Sequence, residues 1–309
     1  MDRTTLTDLL AGFTEKSPTN FLQPKITEEE AERQMQADAD RNLFRKNNYF
    51  GKGKFNPAVY NKDKDDRYIG MQFFRAPVLS FGSASDPGYL LLKKSGVVGP
   101  HHKLPTDWLP DAKTVISLFL PYSDRVLESN IADPEQPSLE WMFTRIDGQN
   151  HLLGAGALVA EALRKEGYDA VVPQADERYF LQTSYRIGGE DTPFYTSNWS
   201  ERHVGYVAGQ GTFGLNTSLI TRAGCAGRLI SIVTNWEAEP DVKDYSGYLD
   251  YCIKCGVCIG RCPAGAIKEG CVKDHDVCSA YVGKVCAAYT PRYGCGKCQS
   301  SLPCQRKRP

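Results

Sequence analysis

The chain has 309 residues, 41% apolar and 24% charged, with a formal net charge of zero. That length supports a sizeable core and a main domain with a smaller companion, in a composition typical of globular proteins. Zero net charge gives no global attraction to nucleic acid or an anionic membrane. The opening MDRTTLTDLLAGFTEK lacks a signal-peptide core, and no run reaches transmembrane length. The expected location is therefore cytoplasmic, with no membrane partner and nucleic acid an unlikely one.

In chain order, residues 1–26 are polar, carry Pro18 and Pro24, and read as an extended arm. Thr27-Glu28-Glu29-Glu30 matches a capping box and predicts a helix from there to about Lys46. Residues 47–66, rich in Gly, Asn, Lys and Asp, read as a loop. The apolar run Val115–Leu120 (VISLFL) predicts a buried strand. Three prolines and several acids in 121–140 suggest a surface loop. Leu152, Leu153, Leu158, Val159, Ala162 and Leu163 have helical spacing, which predicts a helix over about 149–166 with Gly167 as its C′ residue. Residues 168–172 read as a strand, and 218–221 with 228–234 as a hairpin around Gly224 and Gly227. The expected class is α+β, with a mixed α/β main domain.

The cysteines are unevenly placed. Of eleven, none precedes Cys225 and ten lie between Cys252 and Cys304. In a reducing cytosol this favours metal ligation over disulfides. The shift marks a boundary near residue 246, so the expected parts are an N-terminal arm and helix (1–66), a main domain (67–245) and a cysteine-rich domain (246–309). Cys252-x-x-Cys255-x-x-Cys258-x-x-x-Cys262-Pro263 has the bacterial ferredoxin spacing. The first three thiolates hold one [4Fe–4S] cube and the fourth serves a second cluster; Gly256 and Gly260 suit the tight backbone. A zinc knuckle would separate its cysteine pairs by a longer loop.

Four further ligands must come from Cys271, Cys278, Cys286, Cys295, Cys298 and Cys304. The pair Cys295 and Cys298 contributes, and Cys304 is the natural fourth ligand of the first cluster. One of Cys271, Cys278 and Cys286 completes the second, which leaves the other two as buried thiols. Cys225 reads as a packed turn residue, and His101-His102, without ligand spacing, as a surface loop.

The tail resembles that of the epoxyqueuosine reductases, cobalamin-dependent iron–sulfur enzymes related to the reductive dehalogenases. The resemblance lies in CIKCGVCIGRCPAGAI, in Asp276-Val277-Cys278-Ser279-Ala280-Tyr281, and in Pro291-Arg292-Tyr293-Gly294-Cys295-Gly296-Lys297-Cys298-Gln299. It implies Cys252, Cys255, Cys258 and Cys304 on one cluster, and Cys262, Cys278, Cys295 and Cys298 on the other. Upstream, Trp108–Ile116 and Ala208–Thr217 are similar to the family's strand entry and to a glycine-rich segment of its nitroreductase-like cobalamin-binding domain. The implied cofactors are two [4Fe–4S] clusters and cobalamin. The implied activity is reductive cleavage or deoxygenation, with electrons from a low-potential donor such as ferredoxin or flavodoxin.

The chain departs from the family in three places. Five residues separate Cys298 from Cys304, Leu215 replaces the lysine of Gly-Lys-Asn, and Arg145-Ile146-Asp147 stands where the family has Arg-Asp-Tyr-His. No helical-repeat extension comes after the clusters. These departures point to a small electrophilic substrate rather than transfer RNA.

Gly209-x-Gly211-x-x-Gly214 also matches the dinucleotide fingerprint, which needs a strand before it and a helix after it. The next residues, Leu215 to Ile220, are strand-like, so the glycines fit a loop that lets backbone approach a flat cofactor. Asp147 is the motif-based candidate proton donor, with a surface carboxylate as the plain alternative. Tyr195 is a second candidate donor. Glu201, Arg202, Gly209, Gly211, Gly214 and Asn216 are the candidate cofactor contacts, with Ser200 before Glu201 also reading as a capped helix start. The alternative function is an electron-transfer module whose main domain docks a flavin or a partner protein.

Overall fold

The computed structural model describes residues 1–30, 61–182, 185–187, 190–192, 196–270, 273–290 and 292–309, with backbone only over the strands between 181 and 192. Its centre is an antiparallel sheet of β1 (Val78–Ser83), β2 (Thr114–Pro121), β3 (Ala170–Val171) and β6 (Gly227–Thr234) in the order β1-β2-β6-β3. Strand β2 lies between β1 and β6, with Leu118 facing Leu79 on one side and Ile230 on the other. Every residue of β2 is buried, because both faces are covered. This is why VISLFL is apolar at every position but Ser117 rather than alternating.

Period-2 geometry divides that run between two cores. Ile116, Leu118 and Leu120 join Ile230 and Ile232 against helix α4 (Gln149–Lys165), through Leu152, Ala155, Val159 and Leu163. Val115 and Val233 face the other way, onto Val204 and Val207 of helix α5 (Glu201–Val207) and the aromatics Tyr89, Trp108 and Trp199. Each fully buried Leu or Ile stabilises the fold by about 1.5–3 kcal/mol. Gly167, at φ +87°, is the C′ residue of α4 as its sequence position suggested.

Several expectations are corrected. Residues 1–26 are not an extended arm, since helix α1 (Arg3–Lys16) starts at Asp2, whose carboxylate accepts the Thr5 N–H at 2.8 Å. Leu6 and Leu10, four apart, are fully buried in the α4 core, and Phe13 stacks on His151 at 4.8 Å. The prolines at 18 and 24 lie beyond this helix and do not interrupt it.

Residues 121–140 hold two helices rather than a surface loop. Helix α2 (Asp124–Ala132) is capped by Ser123 and helix α3 (Leu139–Ile146) by Ser138. Pro121, Pro134 and Pro137 lie between the elements. The capping box at Thr27 is present, with the Glu30 N–H donating to Thr27 Oγ1 at 3.1 Å and the Thr27 N–H to Glu30 Oε2 at 2.8 Å. The rest of the helix predicted there, to Lys46, lies outside the described residues.

The hairpin of 218–221 with 228–234 does not form. Strand β5 (Leu219–Thr221) pairs with β4 (Gly211–Phe213), while β6 joins the central sheet. Gly211 faces Thr221 in that ladder, and a Cβ there would sit 2.0 Å from the Ile220 carbonyl oxygen. Only glycine lets β4 approach β5 this closely.

His102 is not on a surface loop either. It is fully buried, stacks on Trp199 at 5.5 Å, and accepts the Ser200 N–H at Nε2. Burial pushes its pKa down to about 3, which keeps the ring neutral. Among the described residues no helix is long and apolar enough to cross a membrane.

Candidate iron–sulfur centres

The cysteine-rich tail is anchored to the main domain through β4. The Phe213 N–H donates to the Tyr248 carbonyl at 2.7 Å and the Tyr251 N–H to Thr212 Oγ1 at 2.9 Å. The chain then turns through Lys254 and Gly256, both at positive φ, into the short helix α6 (Val257–Gly260). This tight turn carries Cys252, Cys255 and Cys258 onto one pocket. Its walls also include Cys304, Asn216, Leu302 and Pro309. Cys255 is exposed at the rim and Cys258 is buried.

Cys262, Cys278, Cys295 and Cys298 form a second neighbourhood. Cys295 and Cys298 each feel the charge of both Cys262 and Cys278. Cys278 rides on helix α7 (His275–Tyr289), whose N-terminus is capped by Asp274. Cys286 lies eight residues further along α7, about 12 Å at 1.5 Å per residue, and is half-buried. Cys271 lies outside the described residues. Burial and the neighbouring sulfurs push the Cys258 thiol up to about 11, and burial first of all pushes Cys295 up to about 12. Thiolates gathered this way need a compensating cation, which iron supplies. Residues 246–309 add ten Lys and Arg against four Asp and Glu, a charge that suits an anionic cluster. Among the described residues no three His, Cys, Asp or Glu side chains converge on one metal-sized site, so the fit to iron–sulfur clusters lies in the donor chemistry and the cysteine spacing.

The loop carrying Cys295 and Cys298 is held by α2 and α3, the two helices of the supposed surface loop. Lys297 is buried and donates to the carbonyls of Asn130 and Asp133 at the C-terminal end of α2, at 2.7 and 2.6 Å, where a cation is favoured. Asn130 donates to the Cys295 carbonyl at 3.1 Å. Gly296 presses on Trp141 of α3 so closely that a Cβ would lie 1.9 Å from Cε2.

Asp147 is not on the surface. It closes the C-terminal end of α3, and Arg292 donates to both its oxygens at 3.0 and 3.2 Å. Lys64 Nζ lies 3.5 Å from the same carboxylate. All three side chains are buried, and Arg292 lies over the Phe143 ring at 4.5 Å. Asp147 therefore ties the tail, three residues before Cys295, to the segment at 61–64. Tyr195 lies outside the described residues.

Of the candidate cofactor contacts, Gly214 and Asn216 line the cysteine pocket. Helix α5 precedes Gly209 and strand β4 comes after it, the reverse of a dinucleotide site. Gly211 and Gly214 are buried, and a Cβ at Gly209 would meet Ser80 Oγ at 3.2 Å and Asp241 Cβ at 3.4 Å. Gly209 and Gly211 thus pack against protein, whereas Gly214 lines the pocket that holds Cys252, Cys255 and Cys258. Asn216 donates to the Cys298 carbonyl and accepts the Ser218 N–H at 3.0 Å. Arg202 is exposed, reaches the Thr217 carbonyl at 3.4 Å, and lies within electrostatic range of Cys298 and His275.

Glu201 points into the interior, where neither carboxylate oxygen has a hydrogen bond of good geometry. Burial pushes its pKa up to about 7, with Ser231 and Gln174 nearby countering part of the shift. The raised value means that the folded state holds the proton more tightly than the unfolded chain. Its contribution is complete below pH 4.5, the ordinary value, and is lost as pH rises to about 7. Glu201→Gln should remove this dependence. Wild type should lose up to about 3 kcal/mol relative to the variant between these limits, read as the difference in Tm across that range. Parallel Tm profiles would show that Glu201 does not titrate there.

Residues 248–268 match the 4Fe-4S binding domain family. No curated protein matches the chain. Among solved structures, an epoxyqueuosine reductase from Bacillus subtilis is 19% identical, with 75% of this chain and 62% of that chain covered and a TM-score of 0.45. An epoxyqueuosine reductase with a tRNA-Tyr epoxyqueuosine-modified stem loop is 18% identical over 74% and 61%, at 0.46. A catabolic reductive dehalogenase in complex with 3-bromo-4-hydroxybenzoic acid is 14% identical over 99% and 36%, at 0.47. The chain thus spans about three fifths of the length of these epoxyqueuosine reductases. Scores at this level transfer neither activity nor partner, and nothing in them supports the expectation against nucleic acid. Residues 248–268 are a 4Fe-4S binding domain, and the solved structures similar to the whole chain are epoxyqueuosine reductases and reductive dehalogenases.

Proposed function

We propose that this protein is an iron–sulfur reductase with two [4Fe–4S] clusters in series. Cys252, Cys255, Cys258 and Cys304 would hold the first, and Cys262, Cys278, Cys295 and Cys298 the second. The observation that carries this reading is the grouping itself. Four cysteines wall one pocket, and Cys262 and Cys278 both act on Cys295 and Cys298, with Cys298 also acting on Cys258 between the two sets. When bound, the clusters supply one-electron transfer. A low-potential donor such as ferredoxin or flavodoxin reaches the first set at Cys255, beside the exposed Ile253 and Lys254. The chain's own residues exclude water from Cys258, hold the second loop through Lys297 and Asn130, and join the sets through Asn216. The substrate class is a small electrophile.

The electron acceptor implied by the sequence resemblance is a cobamide. At Gly209 and Gly211 a Cβ would meet protein, so the close packing there has an account that needs no cofactor. That packing favours a second reading, in which the main domain docks a flavin or partner protein and the clusters relay electrons. Anaerobic reconstitution with iron and sulfide, then cobalamin, then removal of unbound material, separates the two. About eight irons per chain with retained base-off cobalt supports the cobamide reductase. About eight irons without cobalt supports the relay, and about four or fewer overturns the two-cluster reading.

A further inference from the structure

Cys225 is the one cysteine of the main domain, and none of the eight ligand positions uses it. It is buried, with its Sγ 3.8 Å from Cys304 Sγ. The backbone holds this contact in place. The Cys225 N–H donates to the Cys304 carbonyl at 2.8 Å, and the Ala226 N–H to the Gln305 carbonyl at 3.2 Å. Gly224 permits the approach, because a Cβ there would lie 2.3 Å from the Gln305 oxygen. Gln299 Nε2 donates to the Cys225 carbonyl at 2.8 Å, and Asn216 Nδ2 lies 4.0 Å from Cys225 Sγ. The main domain thus holds a ninth sulfur against the last ligand of the first set, with an amide donor behind it.

Resting on the two-cluster reading, we propose that Cys225 is a positioning residue that donates an S–H···S hydrogen bond to the Cys304 thiolate of the first cluster and raises that cluster's reduction potential. A thiol is a weak donor in water. In a dry site facing a charged acceptor the bond strengthens, and an added electron makes the cluster sulfurs more negative. The bond therefore stabilises the reduced state more than the oxidised one. Hydrogen bonds to the sulfurs are among the factors that set cluster potentials. Asn216 orients the donor, since its amide faces the lone pairs of Cys225 and leaves the thiol hydrogen for Cys304.

The test is an anaerobic redox titration, followed by electron paramagnetic resonance, of wild type, Cys225→Ala and Cys225→Ser, with iron measured on each. All three should hold about eight irons. In Cys225→Ala one midpoint should fall, so that at the wild-type midpoint the reduced-to-oxidised ratio drops several-fold. The other midpoint should stay in place. Cys225→Ser keeps a donor and should recover most of the shift. Unchanged midpoints in Cys225→Ala with full iron would overturn the proposal. So would loss of iron in Cys225→Ala, which would make Cys225 a packing support for Cys304. Wild type holding about four irons would instead overturn the two-cluster reading, separately from the role of Cys225.

Discussion

Cys258→Ala and Cys295→Ala should each lower the iron content from about eight to about four per chain, and the double variant should hold none. The two residues belong to different sets. Cys258 feels Cys252, Cys304 and Cys255 and, across the gap between the sets, Cys298, whereas Cys295 feels Cys298, Cys278 and Cys262. Each cluster needs four thiolates, so losing one ligand empties its own site. Cys286→Ala, eight residues along α7 from Cys278, should leave iron unchanged. Iron and acid-labile sulfide on anaerobically purified protein decide the matter. If Cys295→Ala keeps all its iron, the second set is not a cluster. If Cys286→Ala loses half, the ligand belongs there and not at Cys278.

Asp147→Asn is expected to be the most damaging single change outside the cysteines. It removes the carboxylate between two buried cations, Arg292 and Lys64. Breaking one side of a buried ion pair costs about 3–5 kcal/mol, because the remaining charge is left buried without compensation. Burial already pushes the Lys64 pKa down, with Arg292 adding to the shift and Asp147 opposing it. Without Asp147 both remaining effects act in the same direction. The midpoint of denaturant unfolding should fall accordingly, and iron should be lost preferentially from the second set, since Arg292 stands three residues before Cys295. Combining Asp147→Asn with Lys64→Met should recover part of the loss, the non-additivity expected of touching residues. A change below about 1 kcal/mol, the range of an exposed pair, would show that this ion pair does not hold the tail.

These two expectations differ in how far the sequence alone reaches them. The first cysteine run was legible because its ligands lie within eleven residues, where local backbone geometry does the grouping. Gly256 at φ +72° is the turn that this spacing requires. Strand β2 was legible because a run buried on both faces has no alternation to hide. Helix α1 was also encoded, in Asp2 and in Leu6, Leu10 and Phe13, and Pro18 and Pro24 lie just beyond its end. Likewise Ser123 and Ser138 cap helices that the three neighbouring prolines concealed.

What the sequence determined by itself is the donor chemistry: a cysteine-rich tail of ferredoxin spacing, attached to an α+β body. What only the tertiary structure decided is where distant charges and sulfurs meet. Asp147 and Arg292 are 145 residues apart, and Cys225 and Cys304 are 79 apart. No local periodicity records such pairs. The glycine segment shows the same limit, because a glycine needed for close approach reads alike whether its neighbour is a cofactor or, as at Gly211, the carbonyl of Ile220. Short-range patterns encode elements and local ligand geometry, whereas long-range contacts arise from burial shared across the whole chain, and only the assembled fold specifies them.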